Sequence, residues 1–417
     1  MGVIRRRLSQ NEQGVALVAV IVMVAVIGAL SADFAFGVRV DYAAASNARD
    51  ELRAHYLNRS AINLGRLLLR IQTQLIEPNR QLLGGFDLQL PDYASTLLAA
   101  FQGGEGAELL GGLFGVAAGD IRGLGLGTGE FELQMQSLDG RLNLNCAGGP
   151  NPGAPAVLRL AAGLAALLAP RRYDHLFEHL DSKGQYNDRL TVLRAIIDWA
   201  DQDQQLFGGS AAEDYRYEEG KDGYHTKNQY FDTLEELRLV RGVDEDFMTA
   251  FAEQLTVYGG CRPNAALMGM PTIMALIAQY AAVPTDPGLE YRNLALLARY
   301  VYEIGQLRGF SKVKDLIDAV EDPMGQLSLG SAIAGLLTQG KSEPPAGLPP
   351  VTGVKLSPKV EEAIVAGQPR RVWRLVAQAT VGRVQKRLTT VWDQGLISMQ
   401  AGRANSGPGG FVYWREE

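Results

Sequence analysis

The sequence predicts an α+β fold in which a long amino-terminal helix packs on a small antiparallel sheet that carries a large inserted all-α domain. Three observations support this. An apolar amino-terminal stretch continues without proline into a helical pattern that Pro78 ends. Alternating strand patterns occur at 131–145 and in the last 45 or so residues. Helical patterns fill residues 154–340, so an insertion between strands is the simplest topology.

The composition excludes several functional classes. The chain has 417 residues, is 47% hydrophobic and 21% charged, and is therefore globular rather than disordered. Its net charge of −6 lacks the basic character of a nucleic-acid binder. Its two cysteines exclude a four-cysteine zinc site, and no serine has a G-x-S-x-G context. We expect no enzyme.

The amino terminus has the features of a membrane segment. A basic cluster, Arg5 to Arg7, precedes a polar stretch that ends at Gly14, and residues from Val15 to about Val38 are mostly apolar. As a helix this segment would be about 36 Å long at 1.5 Å per residue, enough to cross a bilayer core of about 30 Å. The arginines favour a cytoplasmic amino end, so the body should lie across the membrane.

Three interpretations of this terminus compete. It could be a secretory signal cut after Ala29-Leu30-Ser31, a plain membrane anchor, or a short leader cut after Gly14 with the apolar helix retained. An ordinary signal has no polar stretch ending in glycine directly before its apolar run. The position of Gly14 therefore favours cleavage between Gly14 and Val15.

The helical pattern continues beyond the apolar segment. No proline interrupts residues 42–76, and apolar residues recur there at helical spacing. We predict that they form one apolar stripe, made of Leu52, Tyr56, Leu64, Leu67, Leu68, Ile71 and Leu75. A membrane anchor joined to an unrelated soluble helix is the alternative.

Together these features resemble the spine helix of pilin-like subunits, and the chain resembles the minor pseudopilins of type II secretion, most closely the general secretion pathway protein K family. After cleavage at Gly14, the fifth residue would be Ala19. Most pilin-like subunits carry glutamate there, and protein K is the member that lacks it. The Asp139-Gly140-Arg141 run also resembles protein K, as do residues 196–245 and the last 45 or so residues.

The resemblance implies a pilin-like fold with a sterile-alpha-motif-like insert, cleavage by prepilin peptidase and methylation of Val15. It implies a single-pass inner-membrane protein with a cytoplasmic amino terminus and a periplasmic body. It also implies assembly with I-type and J-type minor pseudopilins at the pseudopilus tip, and contacts with the major pseudopilin and the inner-membrane secretion platform. The predicted segments are a leader 1–14, a spine 15–77, pseudopilin parts 78–150 and 341–417, and an insert 151–340.

The body can be divided into elements from the sequence. Phe131–Met135 and Arg141–Asn145 alternate on either side of Asp139-Gly140, which predicts a β-hairpin. Strands are also predicted at 373–381, 384–392 and 411–414, the first two joined by a turn at Gly382. The predicted helices are 92–101, 154–169, 172–181, 188–200, 232–240, 244–256, 270–281, 290–304 and 311–320.

The glycine turn at Gly242 offers a second function. Helix-hairpin-helix DNA binders use the same spacing and present backbone amides to phosphate. Here Asp244, Glu245 and Asp246 follow the turn and would repel phosphate. We therefore expect no nucleic-acid partner. A membrane-tethered module whose helical domain binds DNA or a polypeptide remains the alternative function.

An acidic loop is the best candidate metal site. Asp201, Asp203, Glu213 and Asp214 lie in or near a loop after a predicted helix, and carboxylates are ligands for hard cations such as calcium. The EF-hand pattern is absent, because Leu206 stands where that loop needs glycine. The resemblance to protein K adds weight to a structural calcium ion. A solvated acidic loop without metal is the alternative.

Cys146 and Cys261 are the two cysteines. In the periplasm that the resemblance implies, disulfides persist, so these two residues are a candidate pair. Two separate small buried side chains are the alternative.

Overall fold

A computed structural model describes residues 4–79, 89–99, 129–177, 179–180, 186–213, 223–326, 350–396 and 409–417. The helices are α1 (Ile4–Ile71), α2 (Ala94–Ala99), α3 (Pro155–Leu168), α4 (Arg189–Ala200), α5 (Glu245–Phe251), α6 (Met270–Tyr280), α7 (Tyr291–Arg308), α8 (Val313–Glu321) and α9 (Val360–Ala363). The strands are β1 (Glu130–Ser137), β2 (Leu142–Asn143), β3 (His179–Leu180), β4 (Tyr186–Asn187), β5 (Leu255–Thr256), β6 (Val372–Val381), β7 (Val384–Asp393) and β8 (Gly410–Glu416).

The long amino-terminal helix is confirmed. Helix α1 continues into a π-helical turn, Gln72–Ile76, and its portion from Gly14 onward is long and apolar enough to cross a membrane. Fifteen large apolar side chains between Val15 and Val40 are exposed on it. Burying each would be worth roughly 1.5–3 kcal/mol, so this segment needs a lipid or protein environment.

The face of α1 that packs on the sheet differs from the predicted stripe. Leu68 is buried, but Leu52, Tyr56, Leu67 and Leu75 are exposed. The buried face consists mainly of small residues alternating with larger ones, namely Ala54, Ala61, Ile62, Gly65, Leu68 and Leu69. The prediction followed large side chains, whereas the sheet approaches α1 where small side chains leave room.

The four-stranded sheet is antiparallel with the order β1-β6-β7-β8. The three predicted carboxy-terminal strands are therefore confirmed. Their inward side chains, including Trp373, Leu375 and Leu388, form one core with α1. Two contacts tie the sheet to the helix on the side of the apolar segment: Glu416 lies 2.7 Å from the His55 Nδ1 atom, and Lys386 forms a 2.8 Å ion pair with Glu51.

The predicted hairpin at Asp139-Gly140 is wrong. Strand β1 pairs with β6, and β2 instead pairs in parallel with β5. The Asp139 carboxylate accepts hydrogen bonds from the Arg371 and Val372 amides at 2.7 and 3.0 Å, so it holds the start of β6. A Cβ on Gly140 would lie 2.0 Å from the Leu267 carbonyl oxygen, so glycine here permits close packing rather than a tight hairpin.

The residues between β1 and β6 form two helical cores. The first contains α3, α4 and α5, and the second contains α6 to α9. Three predicted helices are shorter or of another type. Residues 171–176 and 234–239 are 3-10 helices, and the predicted helix 244–256 ends at Phe251 before β5. Segment 172–181 also includes strand β3.

The two cores extend beyond the predicted insert of 151–340. Leu144 and Cys146 pack in the first core, and Val354 and Val360 pack in the second. The chain leaves the sheet and returns to it at adjacent points. A hydrogen bond of 2.9 Å from the Leu138 amide to the Val372 carbonyl oxygen marks this position. The insert therefore begins near Leu138 and ends just before Val372.

We predict that Gly65→Val lowers the free energy of unfolding by about 1–3 kcal/mol through overpacking. A Cβ at Gly65 would already lie 2.8 Å from Leu375 Cδ2 and 3.0 Å from Leu133 Cδ2, and both leucines are fully buried. Thermal unfolding of the detergent-solubilised chain measures the effect. Ser60→Val, at an exposed position of the same helix, is the control. Equal stability of the two variants would contradict this packing.

Candidate functional site

The acidic loop begins at the end of α4. The Asp188 carboxylate caps the start of this helix by accepting from the Thr191 amide at 2.6 Å. After Ala200 the chain folds back on itself, because the Leu206 amide donates to the Ala211 carbonyl oxygen at 2.9 Å. This return brings residue 213 against residues 201–203.

Three of the four predicted metal ligands converge. Asp201, Asp203 and Glu213 each place a carboxylate oxygen within 4.8 Å of the other two. Asp201 and Glu213 are buried, and Asp203 is half-buried. Asp214 lies outside the described residues.

A further carboxylate, Asp198, adds to the negative charge. It is 2% exposed, and one of its oxygens accepts from the Phe207 amide at 2.7 Å. Burial, assisted by the charges of Glu213 and Asp203, raises the pKa of Asp198 to about 7. Burial, assisted by the charge of Asp198 and its neighbours, raises the pKa of Asp201 to about 8. Ionising both Asp198 and Asp201 near neutral pH therefore carries a high electrostatic cost.

These residues fit a hard cation. Within the part of the chain that the structure describes, both buried Asp201 carboxylate oxygens lack a hydrogen-bond partner. Buried charged oxygens without partners are costly, and a cation would compensate them. Asp201, Asp203 and Glu213 would hold calcium, which would supply positive charge. Backbone carbonyls or water would have to complete its usual six to eight oxygens.

The predicted ligand set did not include Asp198, although this residue begins the acidic segment of the sequence. Its signal is a carboxylate inside an otherwise apolar helical run, Ile196 to Ala200, in which every residue is buried. A charge inside a buried run needs a partner, so this pattern is itself an indication of a polar site.

The acidic residues that follow the glycine turn, the feature that suggested DNA binding, form contacts within the chain. Gly242 has a φ of +75°, which favours glycine. Asp244 caps α5 by accepting from the Phe247 amide at 2.8 Å, and Glu245 forms an ion pair with Arg238. The amino end of α5 therefore carries its own carboxylate, where a phosphate-binding hairpin presents free amides.

The two cysteines are joined. A Cys146–Cys261 disulfide closes a sequence separation of 115, with a Cα–Cα distance of 5.6 Å. Cys146 lies in the short 3-10 helix Leu144–Ala147 of the first core, and Cys261 lies just before Ala265, which belongs to the second core. The disulfide therefore links a segment of the first core to the chain at the start of the second core.

Comparison with known families identifies the class of this region. Residues 140–260, which contain the first helical core and the acidic loop, match the first-domain model of type II secretion system protein K. The predicted resemblance to the protein K family is thereby confirmed over residues 140–260.

Among the solved structures similar to this chain is the crystal structure of the GspK-GspI-GspJ complex of the type II secretion system from enterotoxigenic Escherichia coli. The TM-score is 0.42 and the sequence identity 13%, over 70% of this chain and 81% of that one. The resemblance to the protein K family therefore rests on residues 140–260. No curated protein matches the chain.

We predict that replacing both cysteines by alanine lowers the free energy of unfolding by about 2–4 kcal/mol, because the unfolded chain regains the freedom of a long loop. Chemical denaturation of the detergent-solubilised chain measures this loss. A reductant should destabilise the wild-type chain and leave the double variant unchanged. Free thiols in the purified wild-type chain would contradict the bond.

Proposed function

We propose that the chain is a minor pseudopilin of a type II secretion system, a structural subunit without catalytic activity. The observation that carries this proposal is the protein K domain at residues 140–260, on the same chain as a long helix whose first half is apolar and whose second half packs on a small sheet. Such a helix can pack beside other spine helices at one end and carry its own body at the other.

The apolar part of α1 supports a retained membrane segment. Its side chains from Val15 to Val40 are exposed, and the helix continues without a break into the buried face that begins near Ala54. Cleavage near Ala32 would remove the part of the helix that needs lipid. Cleavage after Gly14, by prepilin peptidase, would keep it and give a single-pass inner-membrane protein with a periplasmic body.

Ala19 supports a position at the tip of the filament. A glutamate at the fifth mature position can pair with the positive amino end of a neighbouring subunit in the membrane, where an unpaired charge is costly. With Ala19, this chain does not need such a neighbour. We propose that it lies at the pseudopilus tip with I-type and J-type minor pseudopilins, starting or capping the filament during export of folded proteins. Its large insert would also hinder further stacking.

We also propose that the acidic loop holds a structural calcium ion. The convergence of Asp201, Asp203 and Glu213, and the unpaired buried oxygens of Asp201 within the described residues, support this. The ion would stabilise the first helical core, since the loop follows directly on α4.

We predict that the mature chain begins at Val15, with a methylated amino group, in cells that contain a prepilin peptidase. Intact-mass spectrometry of the purified protein measures this start. Gly14→Val should leave the leader attached, because the peptidase cuts directly after this glycine.

Gly28→Val is the matched control. A Cβ built on either glycine meets no packed neighbour within 4 Å, so the two substitutions are sterically matched. The control should be processed normally. A mature start near Ala32 would contradict a retained spine.

We predict that calcium raises the unfolding temperature of the detergent-solubilised chain, and that Asp201→Asn abolishes the increase. Binding only to the folded state adds about 2.7 kcal/mol at a hundredfold excess over Kd. Asp246→Asn, which removes an exposed carboxylate of α5, should respond as the wild type does. Equal stabilisation of the wild-type and Asp201→Asn chains would contradict this site.

A further inference from the structure

A cleft of about 260 Å³ lies between the outward face of the sheet and the helical insert. Strands β6, β7 and β8 form one wall, and segments around Leu234 and Tyr258 form the other. The residues that line the cleft do not include any of the acidic loop, and neither the membrane helix nor the calcium proposal involves the cleft.

Four arginines line the cleft. Arg374, Arg387 and Arg415 come from three neighbouring strands and share the outward face, because their neighbours Leu375, Leu388 and Glu416 point toward α1. Arg141, which follows β1, reaches the same cleft. Four separate parts of the chain thus place guanidinium groups in one space.

Most of this positive charge is not neutralised internally. Two acidic side chains line the cleft, but that of Glu417 pairs with Arg415 at 2.7 Å, and the Glu417 main-chain oxygen accepts from the Arg387 amide at 2.9 Å. Glu235 pairs with Arg238, which is not part of the lining, at 2.8 Å. Among the described residues, the side chains of Arg141, Arg374 and Arg387 form no ion pair or hydrogen bond.

Arg141 shows the cost of this arrangement. Its burial, with the charge of Arg374 beside it, lowers the pKa of Arg141 to about 10. Glu253, which is beyond ion-pair distance, offsets only part of this effect. An anion in the cleft would relieve both the lost hydration and the repulsion between the two guanidinium groups.

The floor of the cleft is aromatic and apolar. Tyr258 and Tyr413 pack against a small cluster formed by Leu138, Val372 and Val391. The Tyr258 hydroxyl donates to the Asp232 carbonyl oxygen at 2.9 Å, which leaves its ring as the contact surface. A small inorganic anion would not use such a floor, whereas tyrosine together with arginine is typical of sites where proteins bind one another.

The position along α1 argues against a lipid headgroup. Asn58 donates to the carbonyl oxygen of Lys386, the residue before Arg387, at 3.0 Å. Asn58 is twenty residues beyond Val38, which corresponds to about 30 Å of helix. If the apolar segment ends near Val38, the cleft lies far from the membrane surface.

We propose that this cleft binds an acidic segment of another polypeptide, whose carboxylates pair with Arg141, Arg374 and Arg387 and whose apolar side chains pack on Tyr258 and Tyr413. The planar guanidinium group suits bidentate pairing with carboxylates. This docking site does not depend on the proposed place of the chain in a filament.

Fluorescence anisotropy with the detergent-solubilised full chain tests the proposal. The probe is a labelled peptide of alternating glutamate and phenylalanine. We expect saturable binding that the double variant Arg374→Gln/Arg387→Gln weakens about tenfold or more, because two charge-assisted pairs are lost. Arg383→Gln, at the exposed turn between β6 and β7, is the matched control and should bind as the wild type does.

The single variant Arg387→Gln, at an exposed position, provides an independent measurement if the double variant loses its fold. It should weaken binding in the same direction. Equal affinity of the wild-type and folded arginine variants would overturn the proposal. Inorganic phosphate that displaces the peptide at equal molar concentration would also overturn it, because the cleft would then recognise a small anion.

Discussion

The close contact between α1 and the antiparallel sheet is the constraint on which the rest of the structure depends. Ala54, Ala61 and Gly65 allow the sheet to approach the helix, and Leu133 and Leu375 fill the space that they leave. This contact fixes which side chains of the strands face inward. Because strand side chains alternate, it also determines that Arg374 and Arg387 face outward, toward the insert.

The described residues contain two regions where like charges are brought together. In the acidic loop the backbone return at Leu206 gathers carboxylates, and in the cleft the sheet register gathers guanidinium groups. Both arrangements are unfavourable by themselves. The acidic loop lies within the insert, and the cleft lies between the insert and the sheet. A ligand of the opposite sign would offset the cost of concentrating charge of one sign.

The sequence predicted the elements that depend on local patterns. The uninterrupted helix, strands β6 to β8, and helices α3, α4 and α6 could be identified from periodicity and from proline positions. What it could not predict depends on contacts between distant segments. The Asp139-Gly140 pair resembles a hairpin turn, but the Asp139 side chain is used to hold β6, more than two hundred residues away.

The same distinction applies to the sites. Asp201, Asp203 and Glu213 are near in sequence and could be grouped in advance, whereas Arg141 and Arg374 meet only through the fold. The buried face of α1 differs from the predicted apolar stripe for a related reason. Large side chains dominate a periodicity count, but helix-to-sheet distance depends on small ones, which such a count ignores.

The hydrogen bond between Leu138 and Val372 has a consequence for how this architecture varies. Because the insert leaves and rejoins the sheet at adjacent residues, its two connections to the sheet lie side by side. An insert of another size would leave the distance between the end of β1 and the start of β6 unchanged. Evolution could therefore lengthen or shorten the insert while the long helix and its sheet stay the same.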